Sequence, residues 1–137
     1  MKAFVPLFLF VLTFGSPALG TEPRISVELN KLEAGGGSCQ AYLVLENATE
    51  DAFDRLVLDL VMFDPDGIIA RRLAVDIAPL AAGKLAVKVF SVQDLACTGI
   101  GRVLVNGVLG CEAGGAARED CLSLVETASR AGVDLIN

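Results

Sequence analysis

Four cysteines, Cys39, Cys97, Cys111 and Cys121, are the residues whose type and number say most about chemistry in this chain. None belongs to a Cys-x-x-Cys pair, so neither a redox-active dithiol nor paired zinc-ligand spacing is present. In an exported chain an even number of cysteines reads as two disulfides, with three connectivities open. Cys111–Cys121 is favoured, because it closes a local Gly/Ala-rich, charged loop with little apolar anchoring. Cys39–Cys97 would then tie the second strand to the start of the sixth, across the core of a sandwich. Each bridge should stabilise by about 2–4 kcal/mol, mostly by restricting the unfolded chain.

The other candidate groups point away from catalysis. The sequence has no histidine, so the commonest general acid/base and metal ligand at neutral pH is missing. Ser123 and Ser129 therefore lack the partner a serine hydrolase of the usual type requires. Asp64-Pro65-Asp66-Gly67 has a calcium-loop flavour but lacks the further oxygen ligands and distal Glu, and reads as a hairpin turn. Asn47-Ala48-Thr49 is a glycosylation sequon that matters only on a eukaryotic export route; otherwise it reads as turn residues. Asp51, Asp54, Asp76, Asp94, Glu119 and Asp120 read as solvated carboxylates. Asp59 interrupts an apolar face of the strongest strand and needs a partner if buried, from Arg71, Arg72 or Arg102. Ser129-Arg130 is the polar pair singled out as a candidate contact surface. No catalytic residue, metal site or cofactor is assigned.

Composition narrows the partners. Seventeen Asp+Glu against 11 Lys+Arg give a net charge of −6, which argues against nucleic acid and anionic membrane surfaces. No tryptophan is present, and four of the seven phenylalanines lie in the first twenty residues, which weakens a sugar-binding reading.

Those first twenty residues read as a secretory signal peptide. Lys2 precedes the apolar run Ala3–Phe14, Gly15-Ser16-Pro17 ends it, and Ala18-Leu19-Gly20 supplies the small residues of a cleavage site. The run falls short of the roughly 20 residues a membrane span needs, so no stable membrane insertion is expected after cleavage. The expected organisation is a signal at 1–20 and one domain at 21–137, in an oxidising compartment.

Seven short strands are expected in that domain. Alternation marks Ile25–Asn30, Cys39–Leu45, Leu56–Phe63, Ile69–Ile77, Leu85–Val89 and Ile100–Leu109. Leu56–Phe63, apolar on both faces, reads as central. Within Leu85–Val89 the residues Leu85, Val87 and Val89 read as the buried face, and Glu46–Asp54 as a polar connection. Cys121–Ile136 reads as an interrupted last strand bent near Ala131-Gly132, with a helix over Asp120–Arg130 as the alternative. The pattern is that of an all-β, antiparallel immunoglobulin/fibronectin-III-like sandwich of about seven strands.

Several segments also resemble small exported bacterial proteins catalogued as Tat-pathway signal-sequence-domain proteins. The likeness runs through Glu28–Cys39, Val61–Lys84, Ala96–Cys111 and Cys121–Ile136, and includes all four cysteines and Ser129-Arg130. It implies a Gram-negative periplasmic setting and no particular activity. A Tat signal requires twin arginines and only Lys2 is present, so Sec export to the periplasm is expected, with secretion as the alternative. The hairpin and the Leu80–Lys84 turn are similar to FxLYD-like sandwich modules, an analogy of fold alone. The function expected is a non-catalytic module that contacts a periplasmic or envelope protein. The alternatives are a small-ligand or metal-binding module and, behind it, a thiol–disulfide enzyme.

Overall fold

A computed structural model describes residues 1, 11–16 and 22–137. Residues 2–10 and 17–21, which include most of the expected signal peptide, lie outside the described residues. No helix among the described residues is long and apolar enough to cross a membrane.

The strands follow the alternation of the sequence. β1 (Ile25–Gly35) and β2 (Ser38–Asn47) form a hairpin over Gly36-Gly37, both at positive φ. β3 (Phe53–Phe63) and β4 (Ile69–Asp76) form a second hairpin. At its turn Gly67 takes φ 82°, and Asp64 Oδ1 accepts the backbone N–H groups of Asp66 and Ile68, each at 2.9 Å. This is the Asx-type turn that the Asp-Pro-Asp-Gly order encodes. β5 (Leu85–Val92) leads through a single 3-10 turn at Cys97–Gly99 into β6 (Arg102–Ala113). β7 (Ala116–Ala117) folds back on β6, and one helical turn, α1 (Cys121–Leu124), precedes β8 (Val125–Ser129) and β9 (Asp134–Ile136).

Two sheets result, ordered β5-β2-β1-β8 and β4-β3-β6-β7, with β9 also paired to β6. Their facing sides make one apolar core. Ile25, Val27, Leu29, Ala41, Leu43 and Leu45 come from the first sheet, and Leu56, Leu58, Leu60, Met62, Val103 and Val105 from the second. The all-β, two-sheet architecture is therefore observed.

Five expectations are corrected. Nine strands are present among the described residues, not seven. The sheets are mixed, because β8 pairs parallel to β1 and β9 parallel to β6. The last strand does bend after Ser129, but it changes sheets there, so one segment joins both layers along one side. The Glu46–Asp54 connection is shorter than expected: Asn47 is buried and Phe53 opens β3 in the core.

The fifth correction concerns β5. Leu85, Val87 and Val89 face solvent, and Ala86, Lys88 and Phe90 point toward the core side. Register is the cause. Val92 is fully buried opposite the buried Cys39, and counting back by twos from Val92 turns Phe90, Lys88 and Ala86 inward beside Ala41, Leu43 and Leu45.

Candidate functional site

Two disulfides are formed, Cys39–Cys97 and Cys111–Cys121, the pairing favoured from the sequence. The first ties β2 to the 3-10 turn before β6. The second ties the end of β6 to α1. Cys39, Cys111 and Cys121 are buried, so the sulfurs act as core atoms as well as crosslinks.

Asp59 has the partner that its position demanded. It lies on the outer side of β3 and is nonetheless buried. Arg72 on β4 grips it bidentately, Nε to Oδ1 and Nη2 to Oδ2, both at 2.8 Å. Asn106 Nδ2 donates to Oδ2 at 2.8 Å from β6. The Arg72 guanidinium, and next the Asn106 amide, hold the Asp59 carboxyl well below the usual range, at about 2. Both carboxylate oxygens are used within the cluster, which marks a staple across three strands rather than a reactive carboxylate.

Ser129 and Arg130 are placed at the point where the chain changes sheets. The Ser129 hydroxyl donates to the Val133 carbonyl and accepts the Ala131 N–H at 3.2 Å, so it holds the bend. Arg130 donates its N–H to the Leu29 carbonyl at 2.9 Å, and its exposed guanidinium reaches Glu28 at 3.1 Å. Arg130 presents a surface group; Ser129 is occupied within the turn.

The sequon is closed off. Asn47 is fully buried, its Nδ2 donating to the carbonyls of Asp51 at 2.8 Å and Leu80 at 3.2 Å. Its Oδ1 accepts Thr49 Oγ1 at 2.7 Å and Thr49 N at 3.1 Å. That amide organises the loop between β2 and β3 and offers no acceptor nitrogen to a glycan.

Shallow clefts lie on the surface of the described residues. One, about 520 Å³, sits at the β3–β4 turn among Phe63, Asp64, Asp66, Arg102 and Asp134. Asp64 Oδ1 already serves the turn, and Arg102 stacks on Phe63 at 5.0 Å. No group of acidic residues or cysteines spaced to hold a metal is found among the described residues. A second cleft, about 420 Å³, is walled by Arg118, which bonds Asp51 and Asp120 and stacks on Phe53 at 5.5 Å. A third, about 440 Å³, borders the Cys111–Cys121 bridge between Leu109 and Leu122, both exposed.

The least explained surface is on β5, which sequence reasoning missed. Leu85, Val87 and Val89 are 69%, 64% and 43% exposed and stand in one row on the outermost strand of its sheet. Val44 and Tyr42 of β2 continue the apolar area inward, in register with Val87 and Val89. Lys31 lies over the Tyr42 ring at 5.2 Å. The signal was present in the sequence as Phe90 and Val92, the bulkier pair, which lie on the opposite parity to the Leu-Val-Val row.

No protein-family model matches the chain, and no curated protein does. Among solved structures, IrmA from Escherichia coli superposes with a TM-score of 0.56, covering 77% of this chain and 92% of that one at 14% identity. At that identity the two share a fold, and the similarity to IrmA stops there.

Proposed function

We propose that this chain is a non-catalytic, exported β-sandwich module that docks a protein partner of the cell envelope. The observation that carries the reading is the exposed apolar row Leu85, Val87 and Val89 on an outermost strand, continued by Tyr42 and Val44. Folded chains ordinarily blunt such edges and keep contiguous apolar surface small, because both invite association. Elsewhere the large polar clusters are satisfied internally, as at Asp59, Asn47 and Arg118. Arg130 and the Leu109–Leu122 surface beside the second disulfide are secondary contact candidates.

The two disulfides support residence in an oxidising compartment. With the signal-like first twenty residues, the compartment proposed is the periplasm after Sec-type export. The order β5-β2-β1 against β4-β3-β6 supports an immunoglobulin/fibronectin-III-like connectivity, with the sheet-changing last strand as the departure.

The test is photo-crosslinking in the cell of the tagged, exported protein. The crosslinking residue is placed in turn at Val87, Leu109 and Arg130. Reproducible capture of one envelope protein at any of these positions supports the module. Recovery of monomer alone from all three overturns it.

A further inference from the structure

We propose that β5 receives an extended acidic segment of the partner as a fifth strand on the β5-β2-β1-β8 sheet. This deepens the interaction reading and rests on it. The first argument is the phase of the backbone. β5 pairs with β2 without a break from Cys39↔Val92 to Glu46↔Leu85. Asn47 N donates to the Lys84 carbonyl at 3.0 Å, which fixes which residues face the ladder. In an antiparallel pair these alternate, so Lys84, Ala86, Lys88, Phe90 and Val92 turn their peptide groups toward β2. Leu85, Val87, Val89 and Ser91 turn theirs outward. The residues with unpaired N–H and C=O groups are thus the ones whose side chains form the exposed row. A strand laid alongside β5 satisfies those groups and covers the row at the same time.

Charge selects the occupant. β5 contains no acidic residue, and Lys84 and Lys88 join no ion pair among the described residues. Lys88 points to the inner side of the edge, between Ala86 and Phe90. On β4, the edge of the facing sheet, Arg71 is in register with the buried Met62 and so points inward as well. Its guanidinium bonds the carbonyls of Ala70, Gln93 and Asp94 and no carboxylate. In a chain of net charge −6 this side is locally cationic. The one carboxylate in register with β5, Glu46, stands on the outer face beside Leu85. An incoming strand therefore fits with apolar residues on the outer face and acidic residues on the inner one. A second copy fits poorly: two β5 strands paired about Val87 bring Lys88 near its twin with no acid on either. An inward-pointing lysine also deters neutral strands from such an edge, so the same residue rejects casual pairing and rewards an acidic partner.

The test uses the oxidised protein and three fluorescein-labelled heptapeptides that alternate Val with Glu, Val with Ser, or Val with Lys. Fluorescence anisotropy reads binding, and amide shifts in NMR spectra read its place. The expected result is binding of the Val/Glu peptide, with shifts along Leu85–Ser91. Val87→Pro removes one outward N–H and one apolar side chain, and leaves the β2 ladder its donors. It should weaken binding at least about tenfold. Lys88→Glu should weaken it similarly and create binding of the Val/Lys peptide, which also answers for Val87→Pro should that variant fold poorly. No binding of the Val/Glu peptide, or equal binding of Val/Ser, overturns the proposal. So does a dimer in sedimentation that Val87→Pro dissolves, since the occupant is then a second copy. If peptide binding fails while crosslinking at Leu109 or Arg130 captures an envelope protein, the module stands and the β5 proposal falls. If both fail, both fall.

Discussion

Removing each disulfide separately should separate chain entropy from local packing. Cys39–Cys97 spans 58 residues of sequence and Cys111–Cys121 spans 10. The loop-closure relation assigns them about 4.2 and about 2.7 kcal/mol at 25 °C, a difference of about 1.5 kcal/mol. Cys39, Cys111 and Cys121 are buried and Cys97 is half-buried, so both bridges sit at the core and the packing lost on replacement by alanine largely cancels in the comparison. The perturbation is the paired replacement Cys39→Ala/Cys97→Ala against Cys111→Ala/Cys121→Ala, which leaves no unpaired thiol. For a domain of this size, about 1.5 kcal/mol corresponds to a melting-point gap of about 6 °C. Guanidinium denaturation should also show the larger rise in m-value for the long-loop variant, because its unfolded chain expands more. Equal losses, or a greater loss from opening the short loop, would refute the entropic reasoning and place the stabilisation in native packing around the bridges.

Three further outcomes follow from the geometry. The Asp59 carboxyl is depressed to about 2 by Arg72 and then Asn106, against about 3.9 when unfolded, so its contribution is whole above pH 4 and drains away toward pH 2. The urea-midpoint gap between wild type and Asp59→Asn should narrow across that window; a gap constant from pH 5 to pH 2 contradicts the assignment. A Cβ at Gly101 would sit 2.6 Å from the Asp64 carbonyl oxygen, where the Gly101 N–H bonds Phe63 O at 2.7 Å, so Gly101→Ala should cost about 1–3 kcal/mol in chemical denaturation. Wild-type stability there would mean that the β3–β4 turn yields freely. Asn47→Ala strands the buried Thr49 N–H and takes the amide donor from the Leu80 and Asp51 carbonyls, and should cost about 1–3 kcal/mol while leaving β6 amides protected from hydrogen exchange until global unfolding.

Much of the fold is written in local pattern. Alternation in Ile25–Leu29 identifies its buried face directly, and the near-continuous apolar run Leu56–Met62 identifies a central strand, in which Asp59 and Val61 on the outer side are buried as well. The Asp-Pro-Asp-Gly turn is legible because its conformation depends on its own four residues. β5 misleads for a physical reason: in Lys-Leu-Ala-Val-Lys-Val-Phe-Ser-Val both parities carry apolar residues, and only the long-range pairing of Val92 with Cys39 decides between them. That same ambiguity hid the candidate site, which consists of the residues a core-seeking reading would bury. The change of sheets at Ser129 was illegible too. Parallel pairing of Val125–Ser129 with Ile25–Leu29 joins segments about a hundred residues apart and leaves no local signature beyond the bend.

That parallel pairing has a mechanical consequence. Ile25–Leu29 and Val125–Ser129 run side by side in the same direction, with the chain leaving β1 at one end and β8–β9 at the other. Tension applied between the two ends of the domain pulls these strands past each other lengthwise. All the cross-strand bonds then bear load together, instead of opening one at a time as in a hairpin peeled from its tip. Beyond that clamp, the Cys39–Cys97 bridge keeps the intervening 58-residue span from paying out under force. A module tethered at both ends would yield late and lengthen less than the same chain without the bridge.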